Sequence, residues 1–180
     1  MGVKNIFKRY ELKFMLTTQQ YIQLKELMKK YMQGDEFGKS TICNLYFDTP
    51  DYLLIRHSIE KPVYKEKLRL RSYGTPKNDS TVFAELKKKY KSVVYKRRIG
   101  MSEQDAMKFL CERNPVKDTQ ITREIDYFLN FYNNPKPTVY LSYEREAFFS
   151  KTDSDLEGLR PFTLQRSLRR TDFEEKSSSA

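Results

Sequence analysis

The chain has 180 residues, with 34 Lys and Arg against 24 Asp and Glu, a formal charge of +10. That length supports one domain with its own core, no Pro/Gly/Ser-rich linker divides it, and the excess positive charge favours polyanionic partners such as nucleotides, polyphosphate, nucleic acid or an anionic membrane surface. Cys43 and Cys111 lie far apart without a C-x-x-C spacing, which argues against a zinc site or a disulfide framework. No apolar run reaches the roughly 20 residues of a membrane span and Met1 to Arg9 lacks a signal-peptide apolar segment, so the expected location is the cytoplasm.

In chain order, Ile6 to Phe14 alternates, with Arg9, Glu11 and Lys13 on one face and Tyr10, Leu12 and Phe14 on the other, the period of a strand. Thr17 followed by Gln20 is a capping-box pattern. It predicts a helix that carries Tyr21, Leu24, Leu27, Met28 and Tyr31 toward a core and stops near Gly34. Thr41 to Asp48 reads as a strand ended by Thr49-Pro50, since a residue before proline is pushed away from helical angles. Tyr46 and Asp48 share one of its faces, and Asp48 is suited to cap the turn that follows.

After a short turn or helix from Asp51 to His57, three strands are expected in succession: Val63 to Tyr73, Thr81 to Lys89 and Ser92 to Ile99. Ser102 with Asp105 three residues on opens a helix to about Arg113, and a second helix is expected from Thr119 to Tyr132. Asn133 to Pro137 interrupts the chain, Thr138 to Phe149 returns to strand pattern, and Ser150 to Ala180 reads as an irregular polar tail. The fold class is therefore α+β, with its organised part spanning 5–149 and the tail 150–180.

The faces of the central strands carry the chemistry. In KLRLRSYG, Lys67, Arg69 and Arg71 share one side and Leu68 and Leu70 the other. Phe83, Glu85, Lys87 and Lys89 share a face in the next strand, and Lys96 and Arg98 in the one after, with Arg97 opposite. Leu68, Leu70, Leu86, Val93 and Tyr95 lie on the other faces, so helices should cover that side. A concave sheet face lined by cations is unstable when dry, and must be wet or hold an anion. Arg suits phosphate oxygens through its planar fork and Lys adds a compact charge, while Glu11 and Glu85 among the cations are candidate metal ligands.

The strings RYELKF, NLYFDTPD, KLRLRSYG, VFAELKKKY, VVYKRR and YEREAF, in that order from Arg9 to Phe148, resemble the polymerase domain of the vacuolar transporter chaperone (VTC) family. The resemblance implies a triphosphate tunnel fold, an antiparallel β-barrel of the CYTH-like superfamily. It also implies transfer of the terminal phosphoryl group of ATP to a growing polyphosphate chain, assisted by Mn2+ or Mg2+. By position it makes Lys13, Arg69, Arg71, Lys87, Lys96, Arg98 and Arg145 the phosphate-binding set. Within that set Arg69, Arg71, Lys87 and Lys96 would serve the transfer itself, by positioning and charge neutralisation.

Two departures accompany the likeness. The hydrolase and cyclase branch of the superfamily carries E-x-E-x-K on its first strand, where this chain has Arg9, Glu11 and Lys13, which favours the polymerase branch. Polymerase domains also continue past YEREAF into a basic strand of the L-R-I-T-F-D type and a later strand with a glutamate and a lysine. EGLRPFTLQRSLRRTDFEEKSSSA, with Arg160, Glu174 and Glu175, does not match them, so the implied tunnel is incomplete at its C-terminal side. An inactive polyphosphate- or nucleotide-binding module and a triphosphatase are the alternatives. Nucleic acid is not an expected partner, because the cationic face of KLRLRSYG shares its side with only Tyr73 for base stacking.

Overall fold

In a computed structural model of the chain, the described residues are 12–91, 93–114, 117–151 and 162–172, the side chains of 167–172 excepted. The elements are α1 (Thr18–Tyr31), β1 (Met32–Asp48), α2 (Leu53–Ile59), β2 (Tyr64–Tyr73), β3 (Thr81–Tyr90), β4 (Val93–Ser102), α3 (Glu103–Glu112), α4 (Gln120–Phe131), β5 (Lys136–Ser150) and β6 (Phe162–Asp172). The strands form one six-stranded sheet in the order β4-β3-β2-β1-β5-β6, antiparallel throughout the pairs from β1 to β4. That order has two ends, so among the described residues the sheet is open and not a closed barrel. The fold is α+β, as expected.

Contacts cluster into two compact units, residues 1–40 with 144–166 and residues 41–143 with 167–180. In the first, α1 is capped as the sequence predicts: the Thr17 hydroxyl accepts from the Gln20 N–H at 3.2 Å and the Gln20 side chain accepts from the Thr17 N–H at 2.9 Å. Its buried face differs from the expected one. Leu27 and Tyr31 are 68% and 61% exposed, and Met28 is the buried residue of the helix. The reason is a polar anchor: the Tyr21 hydroxyl donates to Glu146 Oε1 of β5 at 3.2 Å and Lys25 pairs with Glu146 Oε2 at 2.8 Å, which turns the Tyr21–Lys25–Met28 row toward β5.

The helix also ends three residues before Gly34. Met32 already has extended angles and β1 begins there, longer than the predicted Thr41 to Asp48 strand. Of the strand predicted from Ile6, only Leu12, Lys13 and Phe14 fall among the described residues; they are exposed and outside any strand. Alternation assigns faces, but a strand also needs a hydrogen-bonded neighbour. Glu11 lies outside the described residues. Conversely, the tail expected to be irregular contains β6, whose Leu164 is buried. Phe162 and Leu164 carry a short period-2 signal that the surrounding polar residues obscured.

The second unit holds the main core. Leu68 and Leu70 of β2 and Val82, Ala84 and Leu86 of β3 pack with Ala106, Phe109 and Leu110 of α3 and Ile125, Phe128 and Leu129 of α4. Each large side chain fully buried in this way contributes about 1.5–3 kcal/mol. Helices therefore cover the leucine side of the sheet, as the parity of KLRLRSYG requires. Val93 and Tyr95 were expected in this core but are 49% and 50% exposed, because they sit at the β3–β4 hairpin end, where Tyr90 and Val94 are exposed as well. Arg97, on the helix side of β4, reaches Glu124 of α4 at 3.2 Å instead of facing the other cations.

Both new helices of this unit start at the predicted caps. The Ser102 hydroxyl accepts from the Asp105 N–H at 3.1 Å, and Thr119 and Thr122 satisfy each other's backbone N–H groups. Asp48 closes β1 as a cap: Oδ1 accepts from the N–H of Thr49 at 2.8 Å and of Leu54 at 2.9 Å, and Oδ2 from the N–H of Ile55 at 3.0 Å. Cys43, which is buried, and Cys111, which is partly buried, are not joined by a disulfide.

Candidate functional site

The registers of β1 to β4 turn strand alternation into rows that cross the sheet on the side away from α3 and α4. One row is Asn44, Arg71, Phe83 and Gly100; the next is Tyr46, Arg69, Glu85 and Arg98; the third contains Lys67, Lys87 and Lys96. All belong to the second unit. Neighbouring strands lie about 4.8 Å apart, so the three lysines stand directly opposite one another, an arrangement that costs stability unless something anionic shares it.

The middle row is organised by Glu85, which is 1% exposed. Its Oε2 accepts from Arg69 Nε at 2.8 Å and lies 2.6 Å from Arg69 Nη2 and 3.8 Å from Arg71 Nε. Its Oε1 forms ion pairs with Lys96 Nζ at 2.7 Å and Arg98 Nε at 3.6 Å, without the alignment of a hydrogen bond. Burial alone would push the Glu85 carboxyl up, but Lys96, Arg69 and Arg71 hold it below its ordinary range. Burial likewise disfavours the Arg69 charge, and Tyr46 and Glu85 more than offset it.

Neutral side chains aim the arginines. Tyr46 accepts from Arg69 Nη1 at 3.1 Å, Asn44 Oδ1 accepts from Arg71 Nε at 3.0 Å, and the Tyr143 hydroxyl accepts from Arg71 Nη2 at 3.4 Å. Arg98 lies over the Phe83 ring, 3.5 Å from its centroid, and its Nη2 donates to the Tyr73 hydroxyl at 3.4 Å. Gly100 makes room for that ring, since a Cβ there would stand 3.2 Å from Phe83 Cε1. Lys67 has its pKa lowered by burial and by the charges of Lys65, Lys87 and Arg69, with Asp48 acting the other way.

The expected site residues thus divide. Arg69, Arg71, Lys87, Lys96 and Arg98 share one face of β2 to β4 and are joined there by Lys67. Lys13 and Arg145 belong to the other unit, where Arg145 sits on β5 with its Nε buried and without a hydrogen-bond partner among the described residues. Asn44, Phe83, Tyr143 and Gly100 had no assigned role in the sequence, although parity within β1 and β3 already placed Asn44 beside Tyr46 and Phe83 beside Glu85.

A divalent metal does not fit Glu85 as it stands. Four cations surround its carboxylate, both oxygens are engaged, and no cluster of three or more His, Cys, Asp or Glu side chains exists among the described residues. Glu85 as a metal ligand is therefore not supported by its surroundings. Among the described residues, no helix is long and apolar enough to cross a membrane.

Comparison with solved structures finds a candidate adenylate cyclase from Bacillus halodurans, 14% identical, with 84% of this chain and 75% of that one covered and a TM-score of 0.47. No curated protein matches the chain. The model of the VTC domain matches residues 8–157, which is most of its length, and the chain belongs to the VTC domain family.

Proposed function

We propose that this chain is a polyphosphate polymerase domain that uses ATP as phosphoryl donor, its phosphates laid along the cationic face of β2 to β4. The observation that carries the reading is the lysine row beside the Arg69–Glu85–Arg98 row, in a chain of the VTC domain family. Arg69, Arg71, Lys87, Lys96 and Arg98 hold and neutralise phosphate oxygens, and Lys13 and Arg145, which belong to the other unit, are proposed as phosphate contacts in their own right. An oxygen of the terminal phosphate of the chain forms a bond to the γ-phosphorus as the bond from that phosphorus to the β,γ-bridging oxygen breaks, and ADP leaves with the electron pair. The protein supplies orientation and positive charge, which is what this reaction asks of it. Two cysteines not joined by a disulfide suit a reducing cytoplasm.

Purified protein given ATP and manganese is expected to form acid-labile chains longer than triphosphate, resolved on a polyacrylamide gel. Release of inorganic phosphate alone would replace polymerase with triphosphatase. A second reading, a polyphosphate-binding module without turnover, is favoured by one observation: Glu85 is committed to four cations and so does not offer itself to a metal. Salt-sensitive binding of tripolyphosphate with no product from ATP would select it.

A further inference from the structure

The geometry points to Glu85 as a built-in counter-anion: a buried carboxylate that holds Arg69, Lys96 and Arg98 in place when no polyanion is bound and lowers the affinity of the face for one that is. The inference rests on the reading that this face binds phosphate chains, and it assigns Glu85 a role opposite to that of a metal ligand.

Three features carry it. Glu85 is the only carboxylate in the row Tyr46, Arg69, Glu85 and Arg98, and cations approach it from β2 and β4 at once. Its contacts are uneven, with Oε2 held by Arg69 and Oε1 by Lys96 at 2.7 Å while Arg98 stays 3.6 Å away, so the Arg98 charge on β4 stays the more available to another anion. Lastly, Lys67, Lys87 and Lys96 of the adjoining row stand opposite one another in register. A phosphate chain laid along the rows would add negative charge beside them. Glu85 would then be a like charge beside that chain, a repulsion that favours release of a product that otherwise accumulates contacts with every added phosphate.

The test is titration calorimetry with tripolyphosphate in metal-free buffer, comparing the wild type with Glu85→Gln and Glu85→Asp. Removing one unit of negative charge beside a polyanion should tighten binding on the order of tenfold. Glu85→Asp keeps the charge and should show no such gain. Thermal unfolding adds a readout that a merely structural role would not move: Glu85→Gln should gain more from saturating tripolyphosphate than wild type gains. Unchanged or weaker binding by Glu85→Gln overturns the inference, as does an equal gain in Glu85→Asp. If Glu85→Gln is recovered only as aggregate, recovery of soluble protein on refolding with tripolyphosphate supports the inference and failure with it overturns it. Binding by wild type without the gain in Glu85→Gln overturns this inference alone, whereas absence of binding by both proteins overturns the proposed function with it.

Discussion

Replacing Lys67 by methionine should stabilise the protein while weakening its hold on phosphate chains. Lys67 stands directly across from Lys87, which stands across from Lys96. Like charges directly opposite on adjacent strands destabilise by about 0.2–1 kcal/mol per pair, and methionine keeps most of the apolar stem that lysine packs. Lys67 takes part in one such pair, so a gain of up to about 1 kcal/mol is expected at neutral pH, read by urea denaturation. Loss of one cation should weaken tripolyphosphate binding on the order of tenfold.

The pH dependence provides an internal check on that argument. Burial first, then Lys65, Lys87 and Arg69, lower the folded pKa of Lys67 below its ordinary value of 10.5. Between the lowered value and 10.5 the unfolded chain binds more protons at this residue, so wild-type stability gains on Lys67→Met as pH rises through that window. The advantage of the variant should be full below the window and shrink across it. A Lys67→Met protein less stable than wild type at pH 7, or an advantage that does not change in the alkaline range, would refute the reasoning.

Three other substitutions probe the same framework. Arg69→Ala strips Glu85 of its closest partner and should cost about 3 kcal/mol in urea denaturation, the lower end for breaking a buried pair because Lys96 remains; Arg69→Lys should recover part of the stability but not the bond to Tyr46. Phe128→Ala, in the core beneath the leucine face, should cost about 3–5 kcal/mol and lower the urea midpoint accordingly. Gly100→Val must displace the Phe83 ring that carries Arg98, so a loss of about 1–3 kcal/mol should be accompanied by weaker tripolyphosphate binding.

The cationic face was legible in the sequence because strand parity is a strict period of two, and KLRLRSYG, VFAELKKKY and VVYKRR each obey it. What parity cannot supply is register, and register is what sets three lysines in line and surrounds Glu85 with cations. The glutamate therefore read as a metal ligand, whereas the register places it within ion-pair reach of cations on both neighbouring strands. Neutral partners were missed for a similar reason: Asn44 and Tyr143 matter because of which guanidinium they face, and nothing local marks them. Helix caps were legible because Thr17, Ser102 and Thr119 act on residues only three positions away. The buried face of α1 was not, since it is chosen by Glu146, far along the chain.

Strand β4 occupies one end of the sheet order, so one side of its backbone has no strand partner among the described residues. Such a margin ordinarily invites a second copy of the same strand to add on. Here Lys96, Arg97 and Arg98 run consecutively through it and put charge on both faces, so two copies aligned there would bring three cations from each molecule together. Like charge along this margin thus opposes pairing between copies. Polyanions or concentrated salt, by screening those charges, should weaken this protection, and storage of the protein with phosphate chains becomes a question of colloidal behaviour as well as of binding.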